Sequence, residues 1–293
     1  MHPAPSVILF TVLSGLGFGF LAFLGLGHPS PQGWAAFAFW GLGYALAVGG
    51  LLASTFHLGR PERALRAFTQ WRTSWLSREA WASVLALLVL APVALAAWLG
   101  RPVPAAFGPL GAALCGMTVL CTSMIYAQLR TVPRWNHWTT PATFLAFAVT
   151  GGAILSGQSL LAAVLSLGLA VLLTVGFRLG DGRFAARGAT LGSATGLGAR
   201  GTVRVFELPH TGQNYLTREM IHVVGRKHAQ KLRAISVVLA GVLPALILPV
   251  LPQVAGIGLA LAAHLLGAFA ARWLFFAEAE HVVGLYYGQG ARA

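Results

Sequence analysis

The stretch SVILFTVLSGLGFGFLAFLGLG, from Ser6 to Gly27, decides the fold of this protein. It contains no charged residue, and it is as long as the roughly 20 apolar residues that an α-helix needs to cross a hydrocarbon core. Inside a bilayer only helices and closed barrels satisfy all of their backbone hydrogen bonds. The stretch also lacks the basic start of a cleaved signal peptide. It therefore predicts a first transmembrane helix.

The whole chain shares this character. It has 293 residues, of which 57% are hydrophobic and 9% are charged, whereas soluble domains carry about 25% charged residues. We expect an all-α polytopic membrane protein, a bundle of eight transmembrane helices that forms a single domain over residues 1–293. The predicted spans lie near Ser6–Gly27, Gly33–Phe56, Glu79–Leu99, Gly108–Leu129, Thr140–Ser156, Ser159–Leu179, Ala234–Leu251 and Val254–Phe276.

The basic residues indicate the orientation of the bundle. If the spans alternate in direction, all but one of the 20 Lys and Arg residues fall on one side, and the exception is Arg101. Basic loops stay in the cytoplasm, so the pattern predicts that both termini are cytoplasmic. The net charge of +13 has the same explanation. We expect no nucleic-acid partner, because the patterns that read or stack on bases are missing.

The longest polar segment, residues 180–232, is predicted to be a cytoplasmic loop. Within it Thr217 has the position of an N-cap, and the residues that follow favour a basic amphipathic helix. Its apolar and aromatic face would include Met220, Ile221, Val224 and His228. Such a helix fits the surface of an anionic membrane, and it equally fits a docking site for a soluble subunit. The sequence leaves both interpretations open.

Ionisable residues at the edge of the spans are the candidates for chemistry, because charges in a membrane are costly. His57 closes the second span, with Ser54 on the same helical face. Glu79 opens the third span, in a first turn that Ser77 would cap. A quinone head group needs such a polar notch, since it accepts hydrogen bonds and takes up protons on reduction. Alternatively, His57 bonds the last carbonyls of its helix and Glu79 pairs with Arg78.

Further residues would complete a quinone site around this histidine and carboxylate. Arginine and tryptophan side chains ring the predicted notch, although tryptophan residues are also common anchors at the membrane interface. Two polar residues at the end of the fourth span could line it as well. These candidates are Arg60, Arg72, Arg78, Trp71, Trp75, Tyr126 and Gln128.

No metal site is predicted. His264 lies near the middle of the eighth span without a second histidine at the same depth, whereas a membrane haem b needs two axial ligands. We expect His264 to bond a neighbouring hydroxyl or carbonyl, and we expect no haem. Cys115 and Cys121 point to different faces of one helix, so they form neither a disulfide nor a metal cluster.

Several motifs resemble the anchor-subunit family of dimethyl sulfoxide reductases. They are FHLGRPERA (Phe56 to Ala64), SWLSREAW (Ser74 to Trp81) and MIYAQLRTVPRW (Met124 to Trp135). The plan of eight spans agrees with that family over most of the chain. RWLFFAEAEHVVGLYYG (Arg272 to Gly288) and GRKHAQKLR (Gly225 to Arg233) are more similar to the branch that anchors membrane-bound sulfite dehydrogenases.

This resemblance implies a complex of three subunits in a bacterial cytoplasmic membrane. One partner would carry a molybdenum bis-pterin cofactor, and a ferredoxin-like partner would carry iron–sulfur clusters. The anchor would not turn over the substrate itself but would exchange electrons with ubiquinone or menaquinone, without haem. The motifs of such anchors place the quinone at a histidine and a glutamate that match His57 and Glu79.

The resemblance to sulfite dehydrogenases favours catalytic subunits on the cytoplasmic side, with electrons flowing from sulfite to quinone. Two alternatives remain at this stage. One is an anchor that oxidises quinol for a dimethyl-sulfoxide-type reductase on the outer side, and the side on which a C-terminal tag lies would separate it from the first. The other is a transporter or channel with no redox partner, which would purify without molybdenum or iron.

Overall fold

The computed structural model describes residues 2–57, 60–212, 214–220 and 228–288, without the side chains of His57 and Pro61. These residues form helices and turns and no strand. Seven of the helices described are long and apolar enough to span a membrane, and one apolar helix is shorter. In chain order they are α1 (Pro5–Gly25), α2 (Gly33–Ala53), α3 (Trp75–Leu99), α4 (Phe107–Ala127), the shorter α5 (Thr139–Leu155), α6 (Ser159–Asp181), α7 (Ala229–Ile247) and α8 (Gln253–Ala277).

Each predicted span contains one of these helices, and the differences lie at the ends. Helix α2 continues into a 3₁₀ turn, Ser54–His57. Helix α7 begins five residues before the predicted Ala234 and includes a π-helical turn at Val238–Val242. The prediction of an all-helical membrane protein is therefore confirmed for the part of the chain that the structure describes.

The N-terminal helices pack around α1, which contacts α2, α4 and α5. Bulky side chains of α1 fill this core, among them Phe18, Phe20 and Leu21, which are almost fully buried. Small residues let the helix backbones approach each other, as they commonly do in membranes. A Cβ atom added at Gly152 of α5 would lie 2.5 Å from the carbonyl oxygen of Gly19 in α1. The crossing of α1 and α5 therefore depends on glycine.

We expect the substitution Gly152→Leu to destabilise the bundle, because the new side chain would collide with the backbone of α1. Overpacking of a core costs about 1–3 kcal/mol, and here no flexible side chain can move aside. Gly168→Leu in α6 is the matched control, since a Cβ atom at Gly168 meets nothing within 4 Å. Thermal unfolding of the two variants in detergent measures the difference. Equal midpoints would contradict the proposed crossing.

The C-terminal helices form a second core between α6, α7 and α8. Leu169 and Leu173 of α6 pack there with Ala240 of α7 and Ala268 of α8. As the sequence predicts, His264 of α8 bonds a carbonyl, because its Nδ1 lies 2.9 Å from the oxygen of Ala240. The imidazole thus links two helices of this core.

The segment between α6 and α7 contains only short helical pieces in the described residues. They are Arg183–Ala186, Leu191–Thr195, Gly198–Arg200 and the π-helical turn Leu216–Met220. Asn214, rather than Thr217, has the capping position of the last turn: the Thr217 N–H donates to Asn214 Oδ1, and the Asn214 N–H donates to Thr217 Oγ1. The remainder of the predicted amphipathic helix, including Ile221 and Val224, lies outside the described residues.

Candidate functional site

A carboxylate is buried between α3 and α4. Glu79 of α3 is 4% exposed, and its Oε1 accepts a hydrogen bond from the hydroxyl of Thr122 in α4. The same hydroxyl lies 3.0 Å from the carbonyl oxygen of Thr118, one helical turn earlier. A carboxylic group inside a membrane span is costly and therefore marks a functional position. Glu79 can exchange a proton only through the few groups that surround it.

The start of α3 differs from the sequence prediction. The helix begins at Trp75, so Ser74 and not Ser77 precedes it, and Glu79 lies in the second turn rather than the first. Ser77 is buried and has a different role: its hydroxyl donates to the carbonyl of Ala67 and accepts from the N–H of Gln70. It therefore fixes the preceding loop to α3 instead of capping the helix.

Arg78 holds the same loop from the other side. Its Nε donates to the carbonyl of Trp71 at 3.0 Å, and its Nη2 donates to the carbonyl of Arg72 at 2.7 Å. The guanidinium also lies 4.3 Å from the centre of the Trp75 ring, which is a favourable cation–π geometry. Arg78 is thus a partner of the loop backbone and an indole ring, and it forms no ion pair with Glu79.

These contacts build an apolar groove on the outer faces of α3 and α4, with a volume of about 620 Å³. Known pockets for small ligands measure roughly 300–1,000 Å³. Trp81 forms part of one wall, and its indole N–H donates to the carbonyl of Phe68 at 3.0 Å. Other lining residues are Trp71, Trp75, Arg78, Leu85 and Cys121. Glu79 and Thr122 lie directly behind this wall, because each follows a lining residue in sequence.

The remaining predicted residues of the α2 end and the following loop have these positions. His57 is the last residue of the 3₁₀ turn that follows α2, and its side chain lies outside what the structure describes. The hydroxyl of Ser54 donates to the carbonyl of Leu51 at 2.6 Å. Arg60 and Arg72 are exposed, and the Arg72 guanidinium lies 5.5 Å from the centre of the Trp71 ring.

The two predicted residues from the end of α4 do not line the groove. Tyr126 packs in a cluster of aromatic rings with centroid distances of 5.3–5.7 Å; its neighbours there are Trp135, Phe144, Phe275 and Phe276. Gln128 is exposed, and its amide nitrogen lies 3.4 Å from the carbonyl oxygen of Ile125. Of the predicted residues, the structure thus brings Trp71, Trp75 and Arg78 together at the groove.

Comparison with known proteins identifies the kind of chain that carries this groove. A family model described as DMSO reductase anchor subunit (DmsC) matches residues 1–277. The chain belongs to this anchor-subunit family. A relative of the anchor is a subunit of the sulfite dehydrogenase from Allochromatium vinosum, which is 32% identical over 98% of this chain and 99% of its own. No solved structure matches.

Sequence reasoning missed three side chains of the anchor that shape its candidate site. Thr122 bonds Glu79 although the two are 43 positions apart, and Leu85 and Met117 form apolar walls of the groove. Hydropathy treats all three as ordinary residues of a span. The spacing of Thr118 and Thr122, one helical turn apart, is the one signal that could have indicated a polar stripe on α4.

The anchor also has an ion-pair cluster where α6 and α8 end. It consists of Arg134, Asp181, Arg233 and Glu278. Glu278 accepts from Arg134 Nη2 and from Arg233 Nε, each at 2.6 Å. Asp181 bonds the same two arginines at 3.0 and 2.5 Å. The cluster joins the loop after α4 to α6, α7 and α8.

Proposed function

We propose that this chain is the quinone-binding membrane anchor of a molybdenum and iron–sulfur oxidoreductase, and that it passes electrons from sulfite oxidation to the membrane quinone pool. One observation carries the proposal. A buried carboxylate, Glu79, lies directly behind an apolar groove of about 620 Å³ that is lined by three tryptophan residues. A ring that must take up protons, attached to a tail that must stay in lipid, suits this arrangement.

The groove and the carboxylate would act on different parts of the quinone. The indole rings of Trp71, Trp75 and Trp81 offer flat apolar surfaces for the head group. His57 would donate a hydrogen bond to one carbonyl, and Glu79 would supply a proton during reduction. Arg78, whose guanidinium lines the groove, would stabilise negative charge that develops on the ring oxygens.

The membrane arrangement is part of the same proposal. We infer eight spans, with α5 as the eighth, because an apolar helix of 17 residues is about 25 Å long. Both termini would be in the cytoplasm of a bacterium, since nearly all basic residues then lie on that side. A ferredoxin-like subunit would dock there and place its last cluster near the groove, and a molybdopterin subunit would oxidise the substrate.

Sulfite is the substrate that we favour, because the similar protein from Allochromatium vinosum is a sulfite dehydrogenase subunit. The description of the family model favours a second candidate, in which the anchor oxidises quinol for a dimethyl-sulfoxide-type reductase. The same groove and the same proton carrier would serve either direction. The purified complex distinguishes the two, since only one direction would support rapid turnover with its substrate.

Filling the groove tests the proposal. We expect Leu85→Trp to raise the KM for a short-chain quinone by about tenfold, because a large indole would occupy the space of the head group and cost it at least 1.4 kcal/mol of binding. Leu88→Trp is the matched control: Leu88 lies on the same helix, is 65% exposed compared with 44% for Leu85, and does not line the groove. Steady-state quinone reduction by membranes measures both variants.

The result would count against the groove if both tryptophan variants kept the KM of the unaltered protein. It would also do so if both raised the KM equally, since the change would then come from the general lipid surface of α3. Reduction of a soluble dye by the partner subunits should be the same in both variants. That measurement separates a blocked groove from a failure of assembly.

A further inference from the structure

An arginine is buried in the middle of the bundle without a counter-ion. Arg272 of α8 is 3% exposed, and the carbon of its guanidinium lies 3.4 Å from the centre of the Phe144 ring. In the described part of the chain, no carboxylate or carbonyl accepts a hydrogen bond from it. An unpaired charge in a low-dielectric interior is very costly, and contact with aromatic faces compensates only a small part of that cost. The five donors of this side chain need polar partners.

Two small cavities meet at Arg272 and have the size and polarity to supply water. The first measures about 20 Å³ and is lined by Thr122, His264 and Arg272. The second measures about 70 Å³ and is lined by Arg272, three threonines of α5 and the ion-pair cluster residues Arg134 and Glu278. A single water needs at least about 10–15 Å³ of such volume and two to four polar partners. Both cavities meet this requirement.

We propose that ordered waters hydrate Arg272 and form a proton route from the ion-pair cluster, through both cavities and Thr122, to Glu79. The hydration follows from the geometry of Arg272 alone. The direction and use of the protons rest on the proposed function, in which quinone takes up two electrons and two protons. The electrons would come from the iron–sulfur subunit, and Glu79 would give a proton to a ring oxygen and regain one through this route.

Thr122 is suited to this relay because its single hydroxyl proton has two acceptors, Glu79 Oε1 and the carbonyl oxygen of Thr118. While Glu79 is ionised, the hydroxyl donates to it. When Glu79 is protonated, its own O–H donates to Thr122, whose proton then turns to Thr118. A water in the first cavity can replace the proton that Thr122 passes on. The positive charge of Arg272 stabilises the ionised state of Glu79 between transfers.

Hydroxyl-radical labelling of the purified complex tests the hydration independently of quinone. Radicals made from bound water modify the side chains beside it. Phe18 and Phe20 of α1 are both 1% exposed, but only Phe18 lines the first cavity. We expect Phe18 to be labelled on the order of fivefold faster than Phe20, because ordered water occupies polar cavities of this size. Equally slow labelling of both rings would overturn the hydrated route.

Thr122→Val tests the relay. It should slow quinone reduction by about tenfold, since one positioned proton-transfer group contributes 10²–10⁴-fold and water can replace it in part. Thr118→Val is the matched control, because Thr118 is equally buried, bonds the carbonyl of Leu114 and lines neither cavity. Thr122→Ser keeps the hydroxyl and should restore the rate.

The possible outcomes separate this inference from the proposed function. Normal quinone reduction by Thr122→Val, together with an inactive Glu79→Gln, would disprove the relay and leave the quinone site standing. Full activity of Glu79→Gln would disprove the quinone role of the carboxylate, and with it the relay. The labelling of Phe18 would then still decide whether Arg272 is hydrated.

Discussion

Replacing Glu79 with Gln is expected to lower quinone-linked turnover by at least about 100-fold, the lower end of the contribution of a positioned acid or base. The amide has the shape of the carboxylic group and can still accept a hydrogen bond from Thr122. It cannot release a proton to a quinone oxygen. The buried position of Glu79 means that bulk water cannot easily replace it as a donor. The loss should therefore appear in kcat, with little change in KM or in assembly.

Two electron acceptors reveal where the block lies. Membranes that contain the whole complex are supplied with sulfite, and the reduction of a short-chain quinone is compared with that of a soluble dye that reacts at the partner subunits. Glu79→Gln should lose only the first activity. Glu62→Gln is the matched control, because Glu62 is an exposed acid in the 3₁₀ turn Pro61–Phe68 of the neighbouring loop. Wild-type quinone reduction by Glu79→Gln would disprove the assignment of the proton donor.

The helices could be predicted from the sequence because lipid leaves the backbone few choices. Where the prediction of their ends was wrong, charged residues were the cause. Helix α7 was expected to begin after Arg233, since hydropathy places an arginine outside a span. In the structure Arg233 lies inside the helix because Asp181 and Glu278 neutralise it. A partner 45–52 positions away cannot be read from local hydropathy.

The candidate site was predictable on one side only. Arg78, Trp71 and Trp75 lie within a short loop and the helix that follows it, so sequence proximity alone groups them near Glu79. The opposite wall comes from α4, and the pairing of Glu79 with Thr122 follows from how two helices pack. Small and hydroxyl residues on facing helices determine that packing, and one sequence does not specify its register. The side chain of His57 is not described, so its role stays a prediction.

The second large effect is expected at the ion-pair cluster. Glu278→Gln should destabilise the protein by about 3 kcal/mol, the lower end of the range for removing one partner of a buried ion pair. The side chain of Glu278 is 5% exposed and accepts hydrogen bonds from both Arg134 and Arg233. A Gln amide offers one acceptor and one donor. It would therefore place an NH₂ group against a guanidinium, and two largely buried positive charges would lose their shared counter-charge.

Asp181→Asn is the matched control for this prediction, because Asp181 binds the same two arginines through a side chain that is 49% exposed. Exposed ion pairs contribute only about 0–1 kcal/mol, so its loss should shift the thermal midpoint of the purified complex far less. Similar shifts for the two variants would show that burial does not set the strength of the cluster. A large shift for Glu278→Gln alone would mean that this carboxylate joins the loop after α4 to α7 and α8, with Asp181 supporting the arrangement from the surface.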